Sequence, residues 1–285
     1  MGEEKTGIVL PTASRKATAV NPESICLYGK PKVGKTTILS ELPNNLIIDT
    51  EKGSAFIDGM VMQPPEGMGP VGIRTWLKDV ARSIREAGRP YDYVSIDTLS
   101  QLDTLSEWWG TWDYMHSVAG KKFNKKTDDL GNLIYGPDKK PILLRPDDPL
   151  YESVLTLGNG YGYQHTRSAF MDMFDTLKGL GKVCTIFVCH VADKMIGEKN
   201  GEQVMVKDLA LTGKLKDWLP RVVDATGNVW NEDGQMMISF KGNEEKMGGV
   251  RGKHLPGYSG PLDWNFIFRK EESKQTTNET KTTVK

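Results

Sequence analysis

The sequence carries no net charge: lysine and arginine together number 37, and so do aspartate and glutamate. A chain without a global positive field does not attract nucleic acid through its overall electrostatics. Any contact with DNA must therefore come from a local basic patch.

Cysteine is scarce, and long apolar runs are missing. The three cysteines, Cys26, Cys184 and Cys189, lie in short apolar runs and lack the spacing of metal ligands. An odd number of cysteines without a paired framework is typical of a reducing compartment. The N-terminus lacks the apolar core of a signal peptide, and no run approaches the length of a membrane span. We therefore expect buried free thiols in a cytoplasmic protein without a membrane partner.

The composition is that of a globular domain with two unusual ends. Apolar residues make up 38% and charged residues 26% of the 285 residues, which is ordinary for a folded chain. Residues 1–20 are polar and mixed, and we expect a loose arm there. Residues 271–285 are almost wholly polar and cannot bury a core, so we expect a disordered tail. One domain is expected over residues 21–270.

Residues 29–37 match the phosphate-binding pattern G-x-x-x-x-G-K-[ST] at every fixed position. Glycines let the chain curl so that consecutive backbone N–H groups converge on a phosphate. Lys35 is then placed to reach the β- and γ-phosphates, and the Thr36 hydroxyl to ligate Mg²⁺. The pattern predicts a nucleotide site formed by Gly29, Lys30, Pro31, Lys32, Val33, Gly34, Lys35, Thr36 and Thr37.

Short apolar runs alternate with amphipathic segments on both sides of this loop. Runs over 24–28, 45–49, 91–97 and 183–189 have the length of buried strands, and one helix face repeats between 73 and 84. The alternation predicts an α/β fold with a mostly parallel central sheet flanked by helices. Asp233-Gly234 predicts a C-terminal hairpin. A polar loop is expected over about 192–212, and a last strand over 264–268.

Residues 108–160 interrupt this alternation, and we interpret them as a long, partly ordered insertion. One interpretation is that its aromatic and basic side chains stack bases and hold phosphates of single-stranded DNA. The other is that the tryptophans cover the core or a subunit contact while the lysines are solvated. The residues concerned are Trp108, Trp109, Trp112 and Phe123, with Lys121, Lys122, Lys125 and Lys126.

Polar side chains end three of the predicted strands, which is where ligands bind in open α/β sheets. Asp97 is a candidate for the metal side of the site, or else the N-cap of the following helix. Glu51 is a candidate general base or an exposed turn residue, and Asp49 competes with it for the role of base. His190 can hydrogen-bond a γ-phosphate, or else is satisfied within the fold.

Four segments in order along the chain resemble RecA-like recombinase ATPases, and most of all their small phage-encoded branch linked to single-strand DNA annealing. They are the loop at 29–36, Ile47-Ile48-Asp49-Thr50-Glu51, Ser95-Ile96-Asp97-Thr98-Leu99 and Phe187-Val188-Cys189-His190. The resemblance covers about residues 20–245. It implies a RecA-like fold and ATP with Mg²⁺ as the ligands.

The same resemblance assigns roles to the strand-end residues. It implies that Glu51 is the catalytic glutamate and that Asp97 closes the Walker B strand. His190 stands where the family commonly has glutamine, which is a departure from its pattern. The family's loop after that position often contacts DNA, and here it falls at about 192–212, where the charges are balanced.

Such ATPases often complete their site with basic residues of a neighbouring subunit, which implies a homo-oligomer. The glycine-rich, basic run at 246–253 is the candidate segment. Within it Arg251 or Lys253 can neutralise charge on the transferred phosphoryl group. The alternative is a flexible surface loop.

The hypothesis is an ATP hydrolase acting in DNA recombination or single-strand annealing. Single-stranded DNA and a single-strand-binding protein are its expected partners, and the host cytoplasm is its location if the chain is phage-encoded. A P-loop small-molecule kinase is one alternative, although the insertion offers only Arg145 for a phosphate-clamping lid. A non-hydrolysing nucleotide switch is the other.

Overall fold

The computed structural model describes residues 13–15, 19–199, 202–242 and 247–269, and for 193–206 only the backbone. The expected N-terminal arm falls mostly outside these residues, and the expected tail at 271–285 falls wholly outside them. Within the described ranges, every helix is too short or too polar to cross a bilayer.

Helices and strands alternate through most of the chain. The helices are α1 (Lys35–Ser40), α2 (Pro70–Glu86), α3 (Leu99–Met115), α4 (Tyr161–Leu177), α5 (Leu215–Val222) and α6 (Trp264–Ile267). The strands are β1 (Ser24–Gly29), β2 (Asn45–Asp49), β3 (Met60–Met62), β4 (Tyr93–Asp97), β5 (Cys184–Lys199), β6 (Glu202–Leu209), β7 (Ala225–Glu232), β8 (Gln235–Ser239), β9 (Gly249–Val250) and β10 (Ser259–Pro261).

The central sheet has the order β10-β8-β7-β1-β5-β4-β2-β3, and its pairs from β7 to β3 are parallel. Parallel strands end at the same edge, so this order gathers the residues that follow β1, β2, β4 and β5. The register sets Gly29 opposite His190 and Asp49 opposite Asp97. Strand pairing alone therefore places the backbone of these residues at one edge of the sheet.

Both faces of the sheet are covered, as expected for mostly parallel strands. On one face α2 buries the stripe Leu77, Val80, Ala81 and Ile84 in a core that also contains residues of α3, α4 and α5. On the other face residues of α1 and α6 pack against β1, β5 and β7. The three cysteines are buried and free, as predicted.

The C-terminal hairpin is formed by β7 and β8, with Asp233-Gly234 at its turn. Both turn residues have positive φ, 50° for Asp233 and 86° for Gly234. Two central residues in the left-handed region match the twist of the flanking strands, which is why Asp-Gly is favoured there.

Two expected elements are wrong. The region expected as a polar loop at 192–212 is an antiparallel ribbon, because β5 continues past the sheet to Lys199 and pairs with β6. In the sequence Asn200-Gly201 separates these strands, and this dipeptide is typical of hairpin turns. The expected last strand at 264–268 is instead the short helix α6, because the Asp263 side chain accepts the Asn265 N–H at 2.9 Å and caps it.

The irregular segment begins later than the predicted 108, because residues up to Met115 continue α3. At its centre, three backbone hydrogen bonds form a cycle that links Lys126, Ile134 and Ile142. The Lys126 N–H donates to Ile142 at 2.8 Å, that of Ile142 to Ile134 at 2.9 Å, and that of Ile134 to Lys126 at 3.0 Å. The segment between α3 and α4 thus satisfies part of its own backbone through isolated bridges, and two short 3₁₀ helices, Val154–Thr156 and Gly158–Gly160, precede α4.

Candidate functional site

The phosphate-binding loop leaves β1 at a point where only glycine fits. A Cβ on Gly29 would lie 2.4 Å from the Val229 carbonyl oxygen on the adjacent strand β7. At the other end of the loop Gly34 has φ +100°, a conformation that residues with a Cβ rarely adopt. The loop therefore closes tightly between two required glycines.

Lys35 lies beneath the loop and is 6% exposed. Its ammonium group donates to the carbonyls of Gly29 at 3.0 Å and Lys30 at 2.8 Å, and lies 3.4 Å from His190 Nδ1. An ammonium group has three N–H donors, so these contacts occupy all of them. Burial lowers the pKa of Lys35, while the nearby carboxylates of Asp97 and Glu51 act in the opposite direction.

Thr36 and Asp97 meet directly: the threonine hydroxyl donates to Asp97 Oδ2 at 2.6 Å. Burial raises the pKa of the Asp97 carboxyl, and this hydrogen bond partly offsets the effect. The pair fits Mg²⁺, which takes one or two protein oxygens together with phosphate oxygens and waters. Among the residues that the structure describes, no group of three or more His, Cys, Asp or Glu side chains forms a metal cage by itself.

Glu51 reaches the same group of side chains from the loop after β2. Its Oε1 accepts the Thr98 hydroxyl at 2.5 Å and lies 3.0 Å from His190 Nε2, while its Oε2 lies 3.2 Å from the same nitrogen. The hydrogen bond from His190 is the main cause that lowers the pKa of Glu51, and the bond from Thr98 adds to it against the effect of burial. Glu51 is thus ionised at neutral pH, as a general base must be.

Asp49, the competing carboxylate, is turned into the fold and is 1% exposed. Its Oδ1 accepts the Glu51 N–H at 2.9 Å, and its Oδ2 accepts the Ser54 N–H at 3.0 Å, the Ser54 hydroxyl at 2.6 Å and the Gln63 amide at 2.8 Å. These four bonds shape the turn that presents Glu51. Asp49 therefore supports the turn and does not face the pocket as a base.

His190 joins the lysine and the glutamate. The Lys35 ammonium can only donate, so His190 Nδ1 must accept and the ring proton resides on Nε2, facing Glu51. The imidazole thereby forms a link from Lys35 to Glu51. The histidine is satisfied within the fold, as the alternative interpretation held, and its partners are the candidate site residues themselves.

Two hydroxyl residues of the site were missed from the sequence. Thr98 caps α3 by accepting the Gln101 N–H at 3.2 Å, so the N-cap is Thr98 and not Asp97. Ser100 accepts the backbone N–H of His190 at 3.0 Å. The residue order Asp-Thr-Leu-Ser after an apolar run was the available signal, because helix N-termini favour hydroxyl residues.

The structure does not bring Arg251 and Lys253 to the loop of their own chain. The Arg251 N–H donates to the Asp224 carbonyl at 2.8 Å, and its guanidinium pairs with the Asp224 carboxylate at 3.5 Å. Asp224 is bonded to Ser24, the first residue of β1, whereas the phosphate-binding loop follows the last. Lys253 is exposed two residues further on.

The aromatic residues predicted as a base-stacking surface mostly serve the fold. Trp109 is fully buried and donates its indole N–H to the Pro70 carbonyl at 2.7 Å. Trp108 stacks on Tyr151 with ring centroids 6.1 Å apart, and Trp112 is 37% exposed. The Lys125 ammonium donates to the Met115 carbonyl at the end of α3 at 2.8 Å. The second interpretation, that these residues cover the core, holds for Trp109.

A glycine-closed loop with a buried lysine and two strand-end carboxylates on a mostly parallel sheet defines a P-loop ATPase fold. The chain belongs to the AAA domain family, whose model (AAA_24) matches residues 21–251. This assignment and the observed sheet confirm the predicted fold class, an α/β P-loop ATPase domain with a mostly parallel central sheet flanked by helices.

Similarity to individual proteins is remote. An ATPase from the type III secretion system of pathogenic bacteria matches at 10% identity and a TM-score of 0.38, over 79% of this chain and 64% of that one. The chain thus spans less than two thirds of that ATPase. The RadB recombinase matches at 10% identity and a TM-score of 0.37, over 77% of this chain and 81% of that one. None of the curated proteins compared matches the chain.

Proposed function

We propose that this chain is a Mg²⁺-dependent ATP hydrolase that acts in DNA recombination or single-strand annealing, of the phage-encoded type that works in the host cytoplasm. The observation that carries the proposal is the link Lys35–His190–Glu51 beside the phosphate-binding loop. It joins a cation suited to phosphate with a carboxylate suited to activating water.

Each side chain has a distinct task in this proposal. Lys35 binds the terminal phosphates and stabilises the charge that grows on them. Thr36 and Asp97 hold Mg²⁺, which neutralises phosphate charge when bound. Glu51, ionised at neutral pH, accepts a proton from the attacking water. His190 orients Glu51 through its Nε2 proton and lies close enough to Lys35 to respond when that lysine turns to phosphate.

The proposal for DNA rests on the ribbon formed by β5 and β6 and on the resemblance to recombinases. The ribbon continues directly from His190 beyond the central sheet. An extended ribbon that leaves the sheet can lie along a single strand, whose backbone proteins contact through basic side chains. Because the chain has no net charge, contact must be local. The ribbon is not a basic patch, so the proposed contacts are made by single lysines that stand among acids: Lys194, Lys199 and Lys207 beside Asp193, Glu198, Glu202 and Asp208.

Hydrolysis is tested by measuring phosphate release from ATP and Mg²⁺ by the purified chain, with and without single-stranded DNA. We expect turnover that DNA stimulates, and a loss of roughly 10²- to 10⁴-fold in Glu51→Gln, the range typical of a general base. Glu66→Gln, an exposed residue outside the site, is the matched control and should behave as wild type. ATP binding without turnover would replace the proposal with a nucleotide switch. Phosphate transfer to a metabolite would replace it with a kinase.

Binding to DNA is tested separately by filter binding of a labelled single strand over a series of salt concentrations. If the ribbon lysines contact phosphates, Lys207→Gln should reduce the slope of log affinity against log salt by about 0.7, the value for one contact on a single strand. Lys78→Gln, on α2, is the control for a lysine outside the ribbon. Retention that does not depend on salt would count against this part of the proposal.

The proposal includes a homo-oligomer in which Arg251 or Lys253 serves a neighbour's site. Arg251 lies at the end of β1 opposite to the loop, so it can act only between subunits. Mixing Lys35→Ala chains with Arg251→Ala chains should then restore turnover, because some interfaces combine an intact loop with an intact arginine. No recovery in mixtures shown to co-assemble would refute the assignment.

A further inference from the structure

The first turn of α3 places two hydroxyl groups on the candidate catalytic pair. Thr98 contacts Glu51 and Ser100 contacts His190, although these partners come from different strands. The turn therefore fixes both members of the pair relative to one another.

The Thr98 hydroxyl makes two hydrogen bonds, one as acceptor and one as donor. Its oxygen accepts the Gln101 N–H at 3.2 Å as the helix cap, and its single proton goes to Glu51 Oε1 at 2.5 Å. Thr98 is 1% exposed, and its own N–H donates to the Thr50 hydroxyl at 3.2 Å. Capping requires only an oxygen lone pair, so the bond to Glu51 exceeds what the helix needs.

The contact of Ser100 fixes the backbone under the imidazole. Its Oγ accepts the His190 N–H at 3.0 Å, while the His190 carbonyl accepts the Ala210 N–H at 2.9 Å. The residue is thereby held from α3 on one side and from the end of β6 on the other. These bonds fix the backbone from which the imidazole projects, and the ring itself is held by Lys35 and Glu51.

We propose that Thr98 and Ser100 are positioning residues for hydrolysis: Thr98 fixes the carboxylate of Glu51, and Ser100 fixes the backbone that carries the ring of His190. Thr98 and His190 share Oε1, so Oε2, whose one contact among the described residues is His190 at 3.2 Å, is the oxygen left to accept a proton from water. The assignment rests on the proposed ATPase activity, in which Glu51 is the base.

Thr98→Val removes both bonds of the hydroxyl, so the combination with Glu51→Gln is what separates positioning from capping. Thr98→Ser keeps both bonds and should retain turnover, whereas Thr98→Val should lower kcat about 10- to 100-fold, as for loss of one hydrogen bond to a charged group, with KM nearly unchanged. Combined with Glu51→Gln, Thr98→Val should cause no further loss, because it acts through Glu51. Thr104→Val, an exposed position of the same helix, should match wild type. A multiplicative loss in the double variant, or unchanged kcat in Thr98→Val, overturns the assignment.

Nitrogen NMR of histidine-labelled protein tests the same geometry without hydrolysis. The chain has four histidines, and the His190 signals are identified by their absence in His190→Gln. In wild type they should show a protonated Nε2 and a bare Nδ1. Thr98→Val and Ser100→Ala should shift them, while Ser83→Ala, on the exposed face of α2, should not. If the His190 signals do not shift in Thr98→Val and Ser100→Ala, the two residues do not position the pair, and the proposal is refuted. Shifted signals in a chain that does not hydrolyse ATP refute the proposed function and keep the geometry.

Discussion

Replacing Asp49 and Glu51 one at a time should separate stability from catalysis, because the structure gives two nearby carboxylates opposite surroundings. Asp49→Asn keeps the shape but replaces one oxygen with an amide that can only donate. If the remaining oxygen serves Ser54 and Gln63, the Glu51 N–H faces another donor. Leaving a buried donor unsatisfied costs about 1–3 kcal/mol, and the lost charge weakens the remaining bonds.

We therefore expect Asp49→Asn to lower the free energy of unfolding by about 2–3 kcal/mol, as several bonds to a buried charge are altered. At roughly 2–4 °C per kcal/mol for a chain of this size class, the melting temperature should fall by about 5–10 °C. Its turnover, measured well below that temperature, should stay within about tenfold of wild type, because the loosened turn costs less than about 1.4 kcal/mol at the transition state.

Glu51→Gln, in the same turn, should lower turnover and leave stability nearly unchanged, which is the reverse of Asp49→Asn. Its side chain is 34% exposed, so its melting temperature should change little while turnover falls. Thermal denaturation followed by circular dichroism and phosphate release measure the two effects on the same samples. If Asp49→Asn abolishes turnover at full stability and Glu51→Gln leaves it intact, the base is Asp49 and the reasoning from its four hydrogen bonds is refuted.

Three further outcomes follow. Gly29→Ala should destabilise the chain by about 1–3 kcal/mol in urea denaturation, because its Cβ would lie 2.4 Å from a carbonyl oxygen of β7, whereas Gly249→Ala, with open space around its Cβ, should be neutral. The hydrogen bond from His190 lowers the pKa of Glu51, so the ionised base is present at neutral pH and its activity is lost as the pH falls through that lowered value; His190→Gln removes the main cause and should move the acid limb of the pH–kcat profile to higher pH. Chelation of Mg²⁺ should abolish turnover, and Asp97→Asn should raise the Mg²⁺ concentration needed for half-maximal rate.

Sequence patterns predicted the parts of this fold that local chemistry determines. The loop was evident because its fixed positions are adjacent in the chain, and β1, β2 and β4 because buried parallel strands are short apolar runs. The ribbon was missed because its polar composition favoured a loop, although Asn200-Gly201 was a turn signal.

The contacts inside the candidate site could not be predicted from the sequence in the same way. Thr98 and Glu51 are 47 residues apart, and Ser100 and His190 are 90 apart, so only strand pairing brings them together. Asp49 ends β2 and Glu51 follows it by two residues, and periodicity does not decide which of the two carboxylates turns inward. That choice depends on Ser54 and Gln63, which lie beyond the strand.

Strand β5 has a mechanical consequence. The same strand carries His190 and then runs from Val191 to Lys199, about 30 Å at the usual rise per residue, with a shift of register against β6 between Met195 and Gly197. If a partner that binds the outer part of the ribbon shifts the backbone at His190, the imidazole moves without any contact between that partner and the nucleotide. By thermodynamic reciprocity, a triphosphate that draws Lys35 away from His190 would then change the affinity of the ribbon for that partner by the same free energy.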